Sequence, residues 1–536
     1  VEAVADFDPR EHTEAIADVC RSLDGLPLAL ELAAAQLPEM TIGQLRDRLD
    51  QRFRTLRDAD RSGDGARPDR HATLAATVRW SYDLLDAEHR RLFDRLSVFQ
   101  RGFDEAGARA VFGADASVHD VGAMLDSLVA ASMVTRRTER GATRFELLET
   151  LRQFGDRQLA ERGERASVRN AHLDHVVDVA ATAGARCHGP EWGDGVAELF
   201  VDWDNLRAAT QWAIDTQRHA DVERLLRDVF FMSRWTLESE PSSWAARAAD
   251  RAGATERDVA APVHLHLAFA EFLGGRHDGA LAENEQALAC RATPSDRSWA
   301  RLYAAIELLY LGRTDDAAKM ADVMVTDTPP RAVEQAMQGS AHPVFKMYAG
   351  QMDFVEAMDH VHRAALVADA TGSPVASGHV EYNRGLLLYA RGEVEQATSA
   401  FRRVLEIGRE HHVPNLVGYV LTSQVSAPGR TGLLAALDAL SYWRDHRDVG
   451  NEFVVLEGAG INLAELGRLE PAAIILGNLD QDRRRIASSR ARREAAMGEI
   501  SLHRKAGRWV ERGGSMSRSE LIAYTRDAVE SALGSL

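Results

Sequence analysis

Lysine is nearly absent from this chain. Of its 64 basic residues only Lys319, Lys346 and Lys505 are lysines, and they follow Ala318, Phe345 and Arg504. A P-loop needs Gly-x-x-x-x-Gly-Lys-Ser/Thr, because backbone N–H groups wrap the phosphates while the lysine reaches the β and γ oxygens. No lysine stands behind a glycine, so there is no standard Walker A, and the chain is not expected to be an enzyme by itself. Cysteine is equally scarce. Cys20, Cys187 and Cys290 are far apart, which fits ordinary buried thiols in a reducing compartment rather than a disulfide framework. No run approaches roughly eighteen apolar residues, and the start, Val1 to Asp6, is acidic where a leader would be basic and then apolar. A cytoplasmic protein without membrane association is expected. The formal charge of -17 removes a sequence-independent grip on DNA for the chain as a whole.

Catalytic and metal-binding patterns are missing too. His264 with His266, and His360 with His362, stand at i, i+2, which on a helix points them to different faces. His172 and His175 share a face but have no evident third ligand. There is no His-Glu-x-x-His for zinc and no Gly-x-Ser-x-Gly elbow. These histidines read as surface residues, and no catalytic or metal site is expected.

What is present begins with the stretch Asp24 to Ala35. Gly25 lets the chain bend, and Pro27, lacking an N–H and with φ fixed, suits the first turn of a helix. Leu28, Leu30, Leu32 and the alanines then leave little of that helix polar, so it must be buried. This stretch resembles the GLPLAL motif of the STAND signal-transduction ATPases, the NB-ARC class. In that class the motif opens the helical subdomain behind the P-loop domain, and its proline backs onto the adenine. The resemblance makes Gly25, Leu26 and Pro27 the candidate nucleotide contacts. It also implies a nucleotide domain upstream of residue 1. The chain starts with Val rather than Met, so either the native polypeptide extends upstream or this is a truncated relative. No cofactor is expected for this chain alone, and ATP or ADP only with such an upstream domain.

In chain order, Glu11 to Leu23 reads as a helix, and Thr41 as the N-cap of a short helix carrying Leu45, Leu49 and Phe53. A polar Gly-rich loop over 59–68 marks the first boundary. Helical patterns then cover 74–85, 87–99, 105–112 and 118–132. Met133 to Arg137 and Arg144 to Leu148, split by Glu139 to Ala142, signal a hairpin. Helices plus one hairpin make a winged helix. The helix before the wing carries Asp120 and Asp126 and no basic residue, a poor match for a groove lined with phosphates. Arg136, Arg137, Arg140 and Arg144 on the wing could touch a phosphate backbone or equally be a solvated face.

The stretches Leu74 to Leu85, Leu96 to Phe103 and Leu147 to Phe154, and later Asp202 to Ala213, resemble the actinobacterial regulator branch of the same class, associated with LuxR and SARP outputs. There the winged helix is a regulatory latch. Relatives place a phosphate-sensing histidine in a Met-His-Asp motif where this chain has Leu147-Leu148-Glu149, so that switch does not carry over.

From about residue 260 the sequence repeats. Gly275, Gly312, Gly350 and Gly392 recur at steps of 37, 38 and 42 residues, and Gly467 lies 75 further on. Each is followed by polar residues and an alanine-rich helix. The pattern fits the tetratricopeptide unit of about 34 residues. Ala268, Ala280, Ala305, Ala317, Ala397 and Ala472, with Gly385 and Gly460, hold the small positions where paired helices cross. The Gly350 copy departs, with Val355 where alanine belongs. Arg483, Arg484, Arg485, Arg490, Arg492 and Arg493 form a basic segment that reads as a solvated helix face paired with acids.

The expected fold is mainly α. It comprises a helical STAND subdomain over 1–68, a winged-helix domain over 69–165, a helical linker or arm over 166–260 and a tetratricopeptide-like α-solenoid over 261–536. The expected function is the regulatory and sensor portion of a STAND-type ATPase or transcriptional regulator, lacking its P-loop domain. A protein or small-molecule inducer on the repeats would control a nucleotide-dependent switch, with self-association on activation and no direct DNA contact by this chain. The rival reading is a stand-alone helical-repeat scaffold that binds protein without nucleotide dependence.

Overall fold

The computed structural model describes residues 12–23, 26–37, 40–49, 70–113, 120–252, 260–480 and 490–535. Gly25, Phe53, the 59–68 loop and Arg483 to Arg485 lie outside them. The fold is mainly α-helical, with a single two-stranded antiparallel sheet among the described residues. Two compact units form, one from Val1–Asp178 with Val201–Trp212 and the other from Val179–Phe200 with Ala213–Leu536.

In the first unit, helices Thr13–Ser22, Pro27–Ala34 and 42–49 pack around Val19, Leu23, Ala29, Leu45 and Leu49, with Trp80 reaching in from helix Arg70–Leu84. Pro27 does open its helix, which buries Ala29, Leu32 and Ala33. Thr41 caps the next one: its Oγ1 accepts from Gln44 N at 3.3 Å, and Gln44 Oε1 accepts from Thr41 N at 2.9 Å. This reciprocal pair satisfies two donors that a helix start otherwise leaves open.

Helices Ala87–Leu96, Glu105–Phe112 and Val121–Ala130 surround the winged-helix core of Leu92, Phe93, Phe103, Phe112, Leu125 and Leu128. Asp86, Asp104 and Asp120 each accept a backbone N–H at the start of one of them, so aspartates set all three boundaries. Hence the helix read as starting at 118 starts at Val121. The one read as reaching Phe99 stops at Leu96, freeing Phe99 to stack on Phe103 at 4.8 Å. The strands are Thr135–Glu139 and Ala142–Glu146, joined through Arg140 and Gly141 at φ 52° and 82°. Two left-handed residues are what a tight hairpin needs. Trp203 is buried, and Trp212 donates to Asn170 Oδ1 at 2.9 Å, so both serve packing.

Among the described residues, the second unit holds six helix pairs from Ala261 onward. They are Ala261–Leu273 with His277–Ala289, Pro294–Tyr310 with Thr314–Thr326, Ala332–Tyr348 with Phe354–Thr371, Pro374–Arg391 with Val394–Glu410, Pro414–Gln424 with Arg430–Asp445, and Val449–Glu465 with Leu469–Asp480. The five repeat-marking glycines all sit at the pair turns with φ between 68° and 85°, a region that favours glycine. The predicted small positions are buried: Ala280, Ala305, Ala317 and Ala472 are wholly covered. A Cβ on Gly385 would lie 2.5 Å from the Phe401 ring. We expect Gly385→Ala to lower stability by about 1–3 kcal/mol, the usual range for overpacking, read as a lower thermal midpoint.

The Gly350 copy corrects the sequence reading. Val355 is 75% exposed, whereas Ala357 is fully buried. After Gly350 the helix starts only at Phe354, two residues later than in the other copies, with Asp353 accepting from Glu356 N at 2.9 Å. Counted from the helix start, Ala357 occupies the same place as Ala280, Ala317, Ala397 and Ala472. The copy carries a two-residue insertion in its turn, not a wrong residue in its crossing.

Within this unit the array closes on itself. The start of Val449–Glu465 abuts the turn after Phe272: a Cβ on Gly450 would lie 2.6 Å from the Phe272 carbonyl oxygen. Helix His219–Thr236 runs into the ring so formed. Its residues from Val229 to Trp235 are all buried, as befits a helix enclosed on every side. Phe230 contacts Tyr303, Trp235 contacts His379 and Tyr419, and Asn415 Nδ2 donates to the Arg234 carbonyl at 2.9 Å. Helices Arg490–Ser501, Ala506–Gly514 and Arg518–Gly534 close the far end of the array. There Asn478 donates to the carbonyls of Gly513 and Met516, and Arg518 Nε donates to buried Glu452 at 2.8 Å.

Candidate functional site

The expected nucleotide contacts are only partly in view. Leu26 is half-buried and extended, Pro27 is exposed at the first helical position, and Gly25 lies outside the described residues. An exposed proline ring can offer one apolar face to a base.

The winged helix is tied up internally. Helix Val121–Ala130 has no basic residue, and its Asp126 pairs with Arg136. Arg137 pairs with Glu146 at 3.0 Å. Arg144 is buried, donating to Asp202 Oδ1 at 2.6 Å and the Gly102 carbonyl at 2.8 Å. Thus three of the four wing arginines hold acids of the same unit, and Arg144 is no solvated residue. In the basic segment, Arg492 pairs with Glu465 and Arg493 with Glu457, the latter pair almost wholly buried. Arg493 therefore departs from the solvated face expected of it.

The histidines also depart from expectation. His172 and His266 are buried, and desolvation pushes their pKa values down to about 3 and about 4, so both are neutral. His172 packs edge-on against Phe99, and His266 holds the Leu226 carbonyl. The apolar neighbours on both sides of each, Ala171 and Leu173 for His172 and Leu265 and Leu267 for His266, are the available signal. Among the described residues no cluster could hold a metal. Of the thiols, Cys187 is buried and its pKa raised to about 12, while Cys20 and Cys290 are partly exposed.

A concave, mostly aromatic feature lies inside the second unit. The first helices of the pairs line a chamber of about 640 Å³, within the 300–1,000 Å³ typical of small-molecule sites. Trp235, on the enclosed helix, is part of the lining. The walls are aromatic: Tyr303 and Tyr310 come from one helix, Phe345 and Tyr348 from the next, Tyr382 and Tyr389 from the third. Burial raises the pKa of Tyr303, Tyr310, Tyr348, Tyr382 and Tyr419, so these hydroxyls stay protonated. His379 lies in the wall with its pKa pushed down to about 4 by burial. Tyr382 shares a hydrogen bond with Ser423 at 2.9 Å, and Tyr389 donates to the Ser426 carbonyl at 2.7 Å.

Behind the Phe272 and Tyr303 walls sits Arg234, 3% exposed, its guanidinium carbon 4.7, 4.4 and 4.4 Å from the rings of Phe269, Phe272 and Tyr303. Burial opposes its charge. The oxygens of Tyr419, Tyr303, Glu307 and Asp448 together outweigh that and hold its pKa above the ordinary value. Glu307 in turn accepts from buried His277 at 2.7 Å.

The chain matches the winged helix-turn-helix domain family over residues 85–160, the segment that forms the helices and hairpin just described. It is 38% identical over 203 residues to a candidate HTH-type transcriptional regulator of Mycobacterium tuberculosis H37Rv, covering 37% of this chain and 22% of that protein. It is 36% identical over 163 residues to an uncharacterized protein of the same strain, covering 30% of this chain and 40% of that one. The matched stretch thus spans about a fifth of the regulator's length. A solved structure of a STAND protein with a tetratricopeptide repeat sensor, from Pyrococcus horikoshii, aligns at 12% identity. Its TM-score is 0.46, over 95% of this chain and 74% of that one.

The sequence patterns considered above do not single out the chamber residues, although a signal exists. Each copy sets an aromatic two or three residues before its turn glycine: Phe272, Tyr310, Tyr348 and Tyr389. All four line the chamber, and the same place before Gly467 is taken by Glu465, at its charged end. Helix periodicity flags only which face is apolar, and a concave wall and a packed core look alike by that measure.

Proposed function

We propose that this chain is the regulatory and sensor portion of a STAND-type transcriptional regulator. Occupancy of the chamber in the second unit by an inducer would bias a nucleotide-dependent switch. The observation that carries the reading is the concave aromatic chamber built by the repeats, in a chain that also bears a winged helix-turn-helix domain. Nucleotide, ADP or ATP, would be held mainly by an upstream P-loop domain, with Pro27 offering the adenine one apolar face. This chain would supply no catalytic group, would make no direct contact with DNA through helix Val121–Ala130, and would act in the cytoplasm. No described helix is long and apolar enough to cross a membrane. Activation would expose a surface for self-association.

The test is nucleotide retention by the polypeptide as the cell makes it, with Pro27→Ala and with Leu386→Trp, which fills the chamber. On this reading Pro27→Ala speeds loss of bound ADP, and Leu386→Trp uncouples nucleotide exchange from inducing cell extract. If neither substitution alters ADP retention or exchange, the scaffold reading without nucleotide dependence takes its place.

A further inference from the structure

The walls of the chamber specify what fills it, and this step rests on the sensor reading above only for its biological meaning. Among the described residues, Glu465 and Arg492 are the only charged groups lining the space. They neutralise one another: Arg492 Nε and Nη2 donate to the two Glu465 oxygens at 2.8 and 2.7 Å. Arg492 also donates to the Ser426 carbonyl at 2.7 Å and Asn462 Oδ1 at 3.1 Å. A guanidinium so committed has little left for a carboxylate or phosphate. An anion would therefore lose its water without gaining a partner, a cost of several kcal/mol. A cation fares no better, since Arg234 already lies against the outer faces of Phe272 and Tyr303, whose inner faces line the space.

Polar groups are nonetheless available. The hydroxyls of Tyr310 and Tyr348 make no hydrogen bond to the described residues, and both are protonated. Asn383 Nδ2 approaches His379 Nδ1 at 3.2 Å, so the histidine proton belongs on Nε2, a further donor in the wall. These are three neutral donors set in aromatic surface.

We infer that the chamber binds an uncharged, ring-bearing apolar small molecule that carries a hydrogen-bond acceptor such as a ketone, ether or hydroxyl oxygen. A peptide is the weaker occupant. The space, about 640 Å³ with Trp235 among its walls, is of the size that holds one small molecule.

The experiment uses the full chain and two fluorescent probes of one skeleton, N-phenyl-1-naphthylamine and its sulfonated analogue 8-anilinonaphthalene-1-sulfonate. The neutral probe is expected to bind saturably at one site, at least about tenfold more tightly than the sulfonate. Leu386→Trp and Ile306→Trp, each filling the chamber from a different helix, are expected to weaken the neutral probe at least about tenfold while circular dichroism stays unchanged. Displacement by 2-acetylnaphthalene should be about two- to tenfold better than by 2-ethylnaphthalene. The double change Tyr310→Phe with Tyr348→Phe should erase that preference. Equal binding of neutral and anionic probes, or binding indifferent to both filled variants, overturns the inference. If the probes behave as expected while ADP exchange ignores chamber occupancy, the ligand class stands and the sensor reading falls. If exchange responds to inducing extract and the neutral probe does not bind, the ligand class falls alone.

Discussion

Arg234→Ala is expected to destabilise the second unit by about 3–5 kcal/mol, the usual cost of removing one member of a buried charge cluster. The cation lies among three aromatic rings and faces Glu307 and Asp448, both essentially inaccessible. Its loss leaves two buried carboxyls with one fewer neutralising charge. The size of the loss depends on pH. Asp448 caps helix Val449–Glu465, accepting from Asn451 N at 2.8 Å, and burial raises its pKa to about 6 although the Asn451 bonds and Arg234 lower it. A carboxyl with a raised pKa contributes stability that is complete below its ordinary pKa and is lost as pH rises through about 6. Without Arg234 that pKa rises further, so the gap between wild type and variant should widen from about pH 5 to about pH 8. Urea midpoints at the two pH values check this. A gap that does not change with pH would show that Arg234 and Asp448 are not coupled.

The second large effect concerns the wing. Arg144→Ala should cost the first unit about 3 kcal/mol, because it removes a buried arginine and strips a partly buried carboxylate, Asp202, of its main partner. Arg137→Ala breaks a pair whose arginine is 67% exposed, and should change stability by no more than about 1 kcal/mol. The two substitutions remove the same charge from the same hairpin. Differential unfolding therefore separates an architectural arginine from a solvated one, and comparable losses would contradict the burial argument. DNA contact through the wing predicts the opposite ranking in a binding assay, with the exposed arginine mattering more.

Much of the architecture could be read directly because it is written in local signals. Pro27 opens a buried helix, Thr41 caps the next, and five glycines mark five left-handed turns. The Arg140-Gly141 hairpin follows from the same kind of signal. The errors have a common physical origin. Val355 misleads because register along the sequence counts from the glycine, whereas packing counts from the helix start, which Asp353 shifts. Residue type puts His172, His266 and Arg493 at the surface, but burial is decided by what packs against a face, and those partners lie 33 to 40 residues away or more. The chamber was hidden for the same reason, since the Tyr310, Tyr348 and Tyr389 side chains converge only once the array curls. The candidate contacts Gly25, Leu26 and Pro27 came from family resemblance, and a local motif alone cannot display the partner surface they would face.

The helix enclosed by the repeats has a consequence for how the second unit comes to be. Linear repeat arrays can nucleate anywhere and lose terminal units one at a time, since each unit contacts only its neighbours. Here His219–Thr236 precedes every repeat in the chain yet touches the first, second, fourth and fifth pairs. Contacts of such long sequence separation impose an early loop-closure cost and slow assembly. The repeats must therefore mature around a core synthesised before them, and the unit should melt in one transition rather than fray from its ends. Its behaviour would be that of a globule assembled from repeated parts.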